Sequence, residues 1–244
     1  MSHLNARPEG RRSVIVPTNE LEITHQPGSS DTAIVVFTGI GMGEDYVQIE
    51  EFRKSLDGTP NHILFVKDKT RTWYNGQFDN ISSILRQELT RLQIRSVVTV
   101  GNSMGGFGAI AFAGRLPGCS QVLAFAAQTS VDPAIVPWEG RWWDLRQDVR
   151  QWCGLDATKL LDGKVRYNLF FGADGEQDMQ HAYRFAGART PLMTICVVKH
   201  AAHNCARILK KAGAFQPIVD SVVRHNHPAA EWIKLLDRVP HQFL

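Results

Sequence analysis

The chain has 244 residues, 43% of them hydrophobic and 21% charged, with 27 basic against 24 acidic side chains for a net charge of +3. A balance this even, with the basic residues scattered, excludes the massed positive field of a nucleic-acid-binding protein, and no apolar run is long enough to span a bilayer. The size and apolar content suit one domain over 1–244 built around a substantial core.

The first residues, to about 12, are polar, gather Arg7, Arg11 and Arg12, and lack the apolar centre of a signal peptide; they read as a mobile N-terminus. Short apolar, β-branched runs then recur at 13–16, 21–24, 33–37, 62–66, 96–100, 122–125, 168–171 and 193–198. They alternate with helical patterns, which predicts an α/β fold: a mostly parallel eight-stranded sheet with helices on both faces. The first two runs lie close together with Pro17 between them, as in an antiparallel edge that could also pair with another chain.

Helices are predicted at about 45–56, then behind Asp79 along Ile81, Ile84, Leu85, Leu89 and Leu92, after residue 103, and at 176–186, 204–212, 215–223 and 229–236. The stretch between the sixth and seventh strands exceeds what a crossover needs and holds Trp138, Trp142, Trp143 and Trp152. Its tryptophans either anchor a helical excursion or help to cap a site. Cys119, Cys153, Cys196 and Cys205 have no C-x-x-C spacing, so a reduced, cytoplasmic protein is the expectation.

The sharpest signal lies at 96–109. A β-branched strand runs into Gly101-Asn102-Ser103-Met104-Gly105, and small apolar residues lead away as a helix. Gly-x-Ser-x-Gly between strand and helix is the context in which a serine is held at the apex of a strained turn, so Ser103 is the candidate nucleophile. The backbone N–H of Met104 would supply half of an oxyanion hole. The other half would come from the loop after the third strand, Thr38-Gly39-Ile40-Gly41, with the N–H of Ile40 preferred and Gly41 next.

A serine hydroxyl needs a base, and the base needs an orienting acid. After the eighth strand come His200 and His203; His203 is preferred because it sits where the loop bends back across the sheet. After the seventh strand come Asp174, Glu176 and Asp178, and here Asp178 is placed ahead of Asp174 and both ahead of Glu176.

Other patterns say less. The glycines after the third strand, with Asp68 after the fourth, suggest a dinucleotide turn, but they run Gly-x-Gly-x-Gly and Asp68 lies well beyond the usual ~20 residues. His200 with His203, and His225 with His227, lack the carboxylate or cysteine companions of a zinc site, so no metal is expected, and no organic cofactor is implied. The stretch 68–75 reads as a solvated loop packed by Trp73; the alternative is substrate recognition by Arg71, Trp73 or Tyr74.

With Ser103, an acid and a histidine following the fifth, seventh and eighth strands in that order, the chain resembles the α/β-hydrolase fold superfamily over about 13–223. It looks most like small bacterial serine hydrolases of uncharacterised specificity, in which Asp-x-x-His-Ala supplies the acid. That motif stands here as Asp178-Met179-Gln180-His181-Ala182. The resemblance implies a three-layer α/β-hydrolase fold with a short cap insertion at about 129–166. Thr38-Gly39 replaces the His-Gly of many members, which leaves the acyl substrate open.

The function expected is cleavage of a small-molecule carboxylic ester or thioester through an acyl-enzyme on Ser103, with neither nucleic acid nor membrane as partner. Acyl transfer by the same triad, or a binding protein that has kept the fold, are the alternatives; oligomeric state is not legible.

Overall fold

The computed structural model of the chain describes residues 12–41, 47–150, 152–153 and 155–244. The N-terminal stretch read as mobile therefore lies outside the described residues, save for Arg12, whose guanidinium donates to Thr24 Oγ1 at 2.9 Å.

The β-branched runs form β1 (Ser13–Pro17), β2 (Leu21–Gln26), β3 (Thr32–Phe37), β4 (His62–Asp68), β5 (Ser96–Asn102), β6 (Cys119–Phe125), β7 (Arg166–Gly172) and β8 (Met193–Val198). They join one sheet in the order β1-β2-β4-β3-β5-β6-β7-β8. From β4 to β8 the strands are parallel, while β1 pairs with β2, and β2 with β4, antiparallel. The predicted antiparallel edge is thus present.

A ninth strand, β9 (His241–Phe243), pairs antiparallel with β8 and corrects the count of eight. It is only three residues long and largely exposed, and it carries no β-branched residue, so nothing in its sequence distinguishes it from a tail.

Helices α1 (Phe78–Arg91), α2 (Met104–Ala113) and α4 (Glu176–Ala188) pack on one face of the sheet, against alternate strand residues such as Ala33, Val35 and Phe37. Helices α5 (Cys205–Lys211), α6 (Phe215–Val219) and α7 (Ala229–Ile233) cover Ile34, Val36, Val98 and Val100 on the other. The period-2 alternation of strand side chains produces these two cores, one on each side. The short α3 (Trp143–Gln147) lies in the long connection from β6 to β7.

The helix predicted at about 45–56 does not form over its described part. Residues 42–46 lie outside the described residues, and from 47 on there is only a 3-10 turn, Arg53–Leu56, entered through Phe52 at φ 62°. The polar side chains of this segment bond to neighbouring loops and to β2. Gln48 Nε2 donates to Gly39 O at 2.9 Å and Asp68 O at 3.0 Å, Glu51 accepts from Gly39 N–H at 3.1 Å, and Glu50 accepts from Thr24 Oγ1 at 2.9 Å. Those tertiary bonds outweigh a helix propensity worth a few tenths of a kcal/mol per residue.

The parallel register brings the carboxyl ends of the central strands to one rim. Phe37 lies beside Gly101, Asn102 beside Phe125, and Gly172 beside Val198. The loops that follow these strands are therefore neighbours, which is where open α/β sheets carry their ligands.

Candidate active site

Ser103 stands between β5 and α2 at φ 56° and ψ −124°, a strained backbone held by its surroundings. A Cβ on Gly101 would come within 2.0 Å of Gly105 O, and one on Gly105 within 2.1 Å of Phe37 O. Strand, turn and helix thus approach to a distance that only glycine permits, and the hydroxyl is forced up over the rim.

The Ser103 hydroxyl lies 2.8 Å from His203 Nε2, and His203 Nδ1 lies 3.0 and 3.1 Å from the two oxygens of Asp178. Burial would raise the Asp178 carboxyl, but the hydrogen bond from His203 and the charge of Arg141 hold it below its ordinary value. An ionised carboxylate only accepts, so Nδ1 carries the proton. Nε2 then presents its lone pair to Ser103 O–H. The other candidates are elsewhere: Asp174, Glu176 and His200 are exposed and make no bond to this chain of donors.

Asp178 opens α4 with His181 one turn on, and both side chains face inward, buried at 1% and 0% exposure. Around them lies a set of residues that sequence reasoning missed. Arg141 donates from Nη1 to Asp178 Oδ1 at 2.6 Å and grips Glu139 from Nε and Nη2 at 3.0 and 2.5 Å. Its Nη1 is 3.3 Å from His203 Nδ1 because both N–H groups address the same carboxylate.

Glu139 also accepts from His181 Nε2 at 3.0 Å, while Thr129 N–H donates to His181 Nδ1 at 3.0 Å. That pattern fixes a neutral imidazole protonated at Nε2, in keeping with burial lowering its basicity. Burial would raise Glu139, yet its bonds to His181 and Arg141 hold it well below the carboxylate range. No spacing rule links Arg141 to Asp178; the Asp-x-x-His-Ala motif was the one sequence signal pointing at this cluster.

The loop after β3 is tied back by its carbonyls. Tyr74 O–H donates to Thr38 O at 2.8 Å, Gln48 to Gly39 O, and Arg71 Nε to Ile40 O at 3.0 Å. The N–H of Ile40 has no hydrogen-bond partner among the described residues, and that of Met104, first in α2, has none within the helix.

Arg71 and Tyr74 belong to a loop organised by Asp68, which is 1% exposed. Its carboxylate accepts from the N–H groups of Thr70, Thr72 and Tyr74 and from both threonine hydroxyls. Asp68 is thereby occupied by its own loop, which removes the basis of a dinucleotide turn. Lys69 and Thr70 are exposed while Trp73 and Tyr74 are fully buried, so 68–75 is a surface loop packed by Trp73, as expected, and it also braces the neighbouring glycine loop.

Of the tryptophans between β6 and β7, Trp142 lies 5.8 Å from the His203 ring and Trp138 4.6 Å from His181, centroid to centroid, whereas Trp143 is 64% exposed. A cavity of about 1100 Å³ opens beside Gly41 and Asn102, between Phe52 and Arg207, and neither Ser103 nor His203 lines it. No group of three or more His, Cys, Asp or Glu side chains among the described residues is arranged to hold a metal, and no described helix is long and apolar enough to cross a membrane.

No family model matches the sequence, and no curated protein matches it. Solved structures do resemble it. The capsule O-acetyltransferase of Neisseria meningitidis serogroup A superposes with a TM-score of 0.61 at 16% identity, over 84% of this chain and 92% of that one. The 2,6-dihydroxy-pseudo-oxynicotine hydrolase gives 0.63 at 13%, over 91% and 70%. A thermophilic esterase from Thermogutta terrifontis gives 0.54 at 12%, over 86% and 91%. Taken with the parallel sheet, its helical layers and the strand-turn-helix at Ser103, these likenesses show that the chain has the α/β-hydrolase fold.

Proposed function

We propose that this protein is a serine hydrolase that cleaves a small carboxylic ester or thioester through an acyl-enzyme on Ser103. The observation that carries the reading is the continuous chain of hydrogen bonds from Ser103 through His203 to Asp178, at 2.8 and 3.0 Å. Ser103 Oγ attacks the carbonyl carbon as His203 Nε2 takes its proton, and Asp178 steadies the imidazolium. The Ile40 and Met104 N–H groups stabilise the oxyanion, each worth about 3 kcal/mol in comparable sites. His203 then protonates the leaving group, and water, activated by the same imidazole, releases the acid. The segment at about 129–166 acts as the cap, with Trp142 beside His203.

The test pairs covalent labelling with turnover. A fluorophosphonate should label Ser103, and Ser103→Ala should abolish labelling and lower hydrolysis of p-nitrophenyl acetate by at least about a thousandfold. Unchanged turnover in Ser103→Ala would rule the mechanism out. Acyl transfer is the second reading, favoured by the likeness to an O-acetyltransferase. It predicts that an added alcohol diverts the acyl group from water to an ester product.

A further inference from the structure

Gln128 follows β6 on the same rim and is wholly buried. Its carboxamide is clamped between two groups with opposite demands. Trp73 Nε1–H, which only donates, lies 3.2 Å from Gln128 Oε1, so the amide oxygen must face the indole. The NH2 therefore faces Ser103 Oγ, 3.3 Å away. A flipped amide would set N–H against N–H in a buried site. The indole of Trp73 thus decides that the nucleophile oxygen sees a donor.

The geometry points to Gln128 as a catalytic residue that assists the departure of Ser103 Oγ when the acyl-enzyme breaks down. This assignment rests on the acyl-enzyme reading above. In that step water forms a bond to the acyl carbon while His203 Nε2 takes its proton. The tetrahedral intermediate then collapses: the C–Oγ bond breaks, its electron pair moves to Oγ, and the His203 N–H returns a proton there. Gln128 keeps both of its protons and donates a hydrogen bond to Oγ while charge accumulates.

At 3.3 Å the bond is long for a neutral hydroxyl and shortens as the acceptor becomes anionic. The two half-reactions use it unequally. An ester oxygen is a poor acceptor, so in the acyl-enzyme the bond is nearly absent and the transition state gains it in full. In the free enzyme the Ser103 hydroxyl already accepts from Gln128, so acylation gains less. Only the difference between ground and transition state accelerates a step.

The experiment is stopped-flow hydrolysis of p-nitrophenyl acetate, with fluorophosphonate labelling as the measure of Ser103 reactivity. Gln128→Met should lower steady-state turnover about tenfold while the labelling rate stays within about threefold, so that a burst approaching one nitrophenolate per enzyme appears. Trp73→Phe, which frees the amide to turn, should give a smaller burst.

Because Gln128→Met alone leaves the Trp73 N–H unpaired, the double variant Gln128→Met/Trp73→Phe removes both partners and should reproduce the kinetic effect in a folded protein. Acyl-enzyme decay at the parent rate in both the single and double variants overturns the role of Gln128 while leaving the hydrolase intact. A parent protein that fluorophosphonate does not label at Ser103 overturns the hydrolase reading, and this assignment with it.

Discussion

Arg141 and Asp178 are joined at 2.6 Å, so the carboxylate that faces His203 is shared with a guanidinium from the segment between β6 and β7. Arg141 is at the same time locked to Glu139, which is wholly buried. The candidate triad and this segment are therefore one electrostatic unit, and moving one disturbs the charge balance of the other.

Arg141→Met should leave Glu139 buried and without its cation, with His181 Nε2 and the backbone N–H of residue 141 as remaining donors, at a cost of about 3 kcal/mol, and should also release Asp178 from its cation. A carboxyl depressed below its ordinary 3.8 stabilises the fold above that pH, and the contribution is lost as pH falls through the lower folded value. Without Arg141 the folded value rises toward 3.8, so the acid-side fall in stability should be smaller and should end at a higher pH than in the parent. Thermal unfolding followed from pH 6 down to about 2 reads this directly; superimposable acid limbs would sink the coupling.

The turn at Ser103 makes a steric prediction independent of the chemistry. In Gly105→Ala the new Cβ would lie 2.1 Å from Phe37 O, a backbone atom of a central strand that cannot swing aside. Destabilisation of more than about 3 kcal/mol, or failure to fold, is expected. Gly163→Ala, where no atom lies within 4 Å, should change stability by no more than about 0.5 kcal/mol. Denaturant unfolding of the two variants side by side gives the comparison.

Glu51 ties the glycine loop from behind. Burial pushes its carboxyl up to about 7 from 4.5, against the opposing hydrogen bond from Gly39 N–H. A raised carboxyl stabilises the fold fully below its unfolded value, and that contribution fades as pH climbs through about 7. The parent should thus lose on the order of 2 kcal/mol between pH 5 and pH 8 from this group. Glu51→Gln keeps an oxygen for Gly39 N–H and carries no charge, so its melting temperature should be flatter over that interval. An equal slope in parent and variant would show that Glu51 ionises freely in the fold.

How much of this was readable before any coordinates follows from the range of each interaction. The elbow was legible because its constraint is local: Gly101, Ser103 and Gly105 lie within one turn of chain, between a β-branched strand and a small-residue helix. The strands from 13 to 198 were legible because period-2 burial leaves its mark in the sequence. The predicted helix near 45–56 failed over its described part because Gln48, Glu50 and Glu51 answer to Gly39, Asp68 and Thr24, partners at a distance along the chain.

The amino-acid order alone was enough for the layered α/β plan and for a short set of candidates, one serine, two histidines and three carboxylates, because strand alternation and glycine-bounded turns are short-range properties. Which histidine and which carboxylate stand in line with Ser103, that Arg141 reaches Asp178 from 37 residues away, and that Trp73 turns the Gln128 amide toward the nucleophile all depended on folding. Hydrogen bonds and ion pairs act over about 3 Å in space and carry no imprint of separation along the chain, so they become visible once the strand order has brought their loops to one rim.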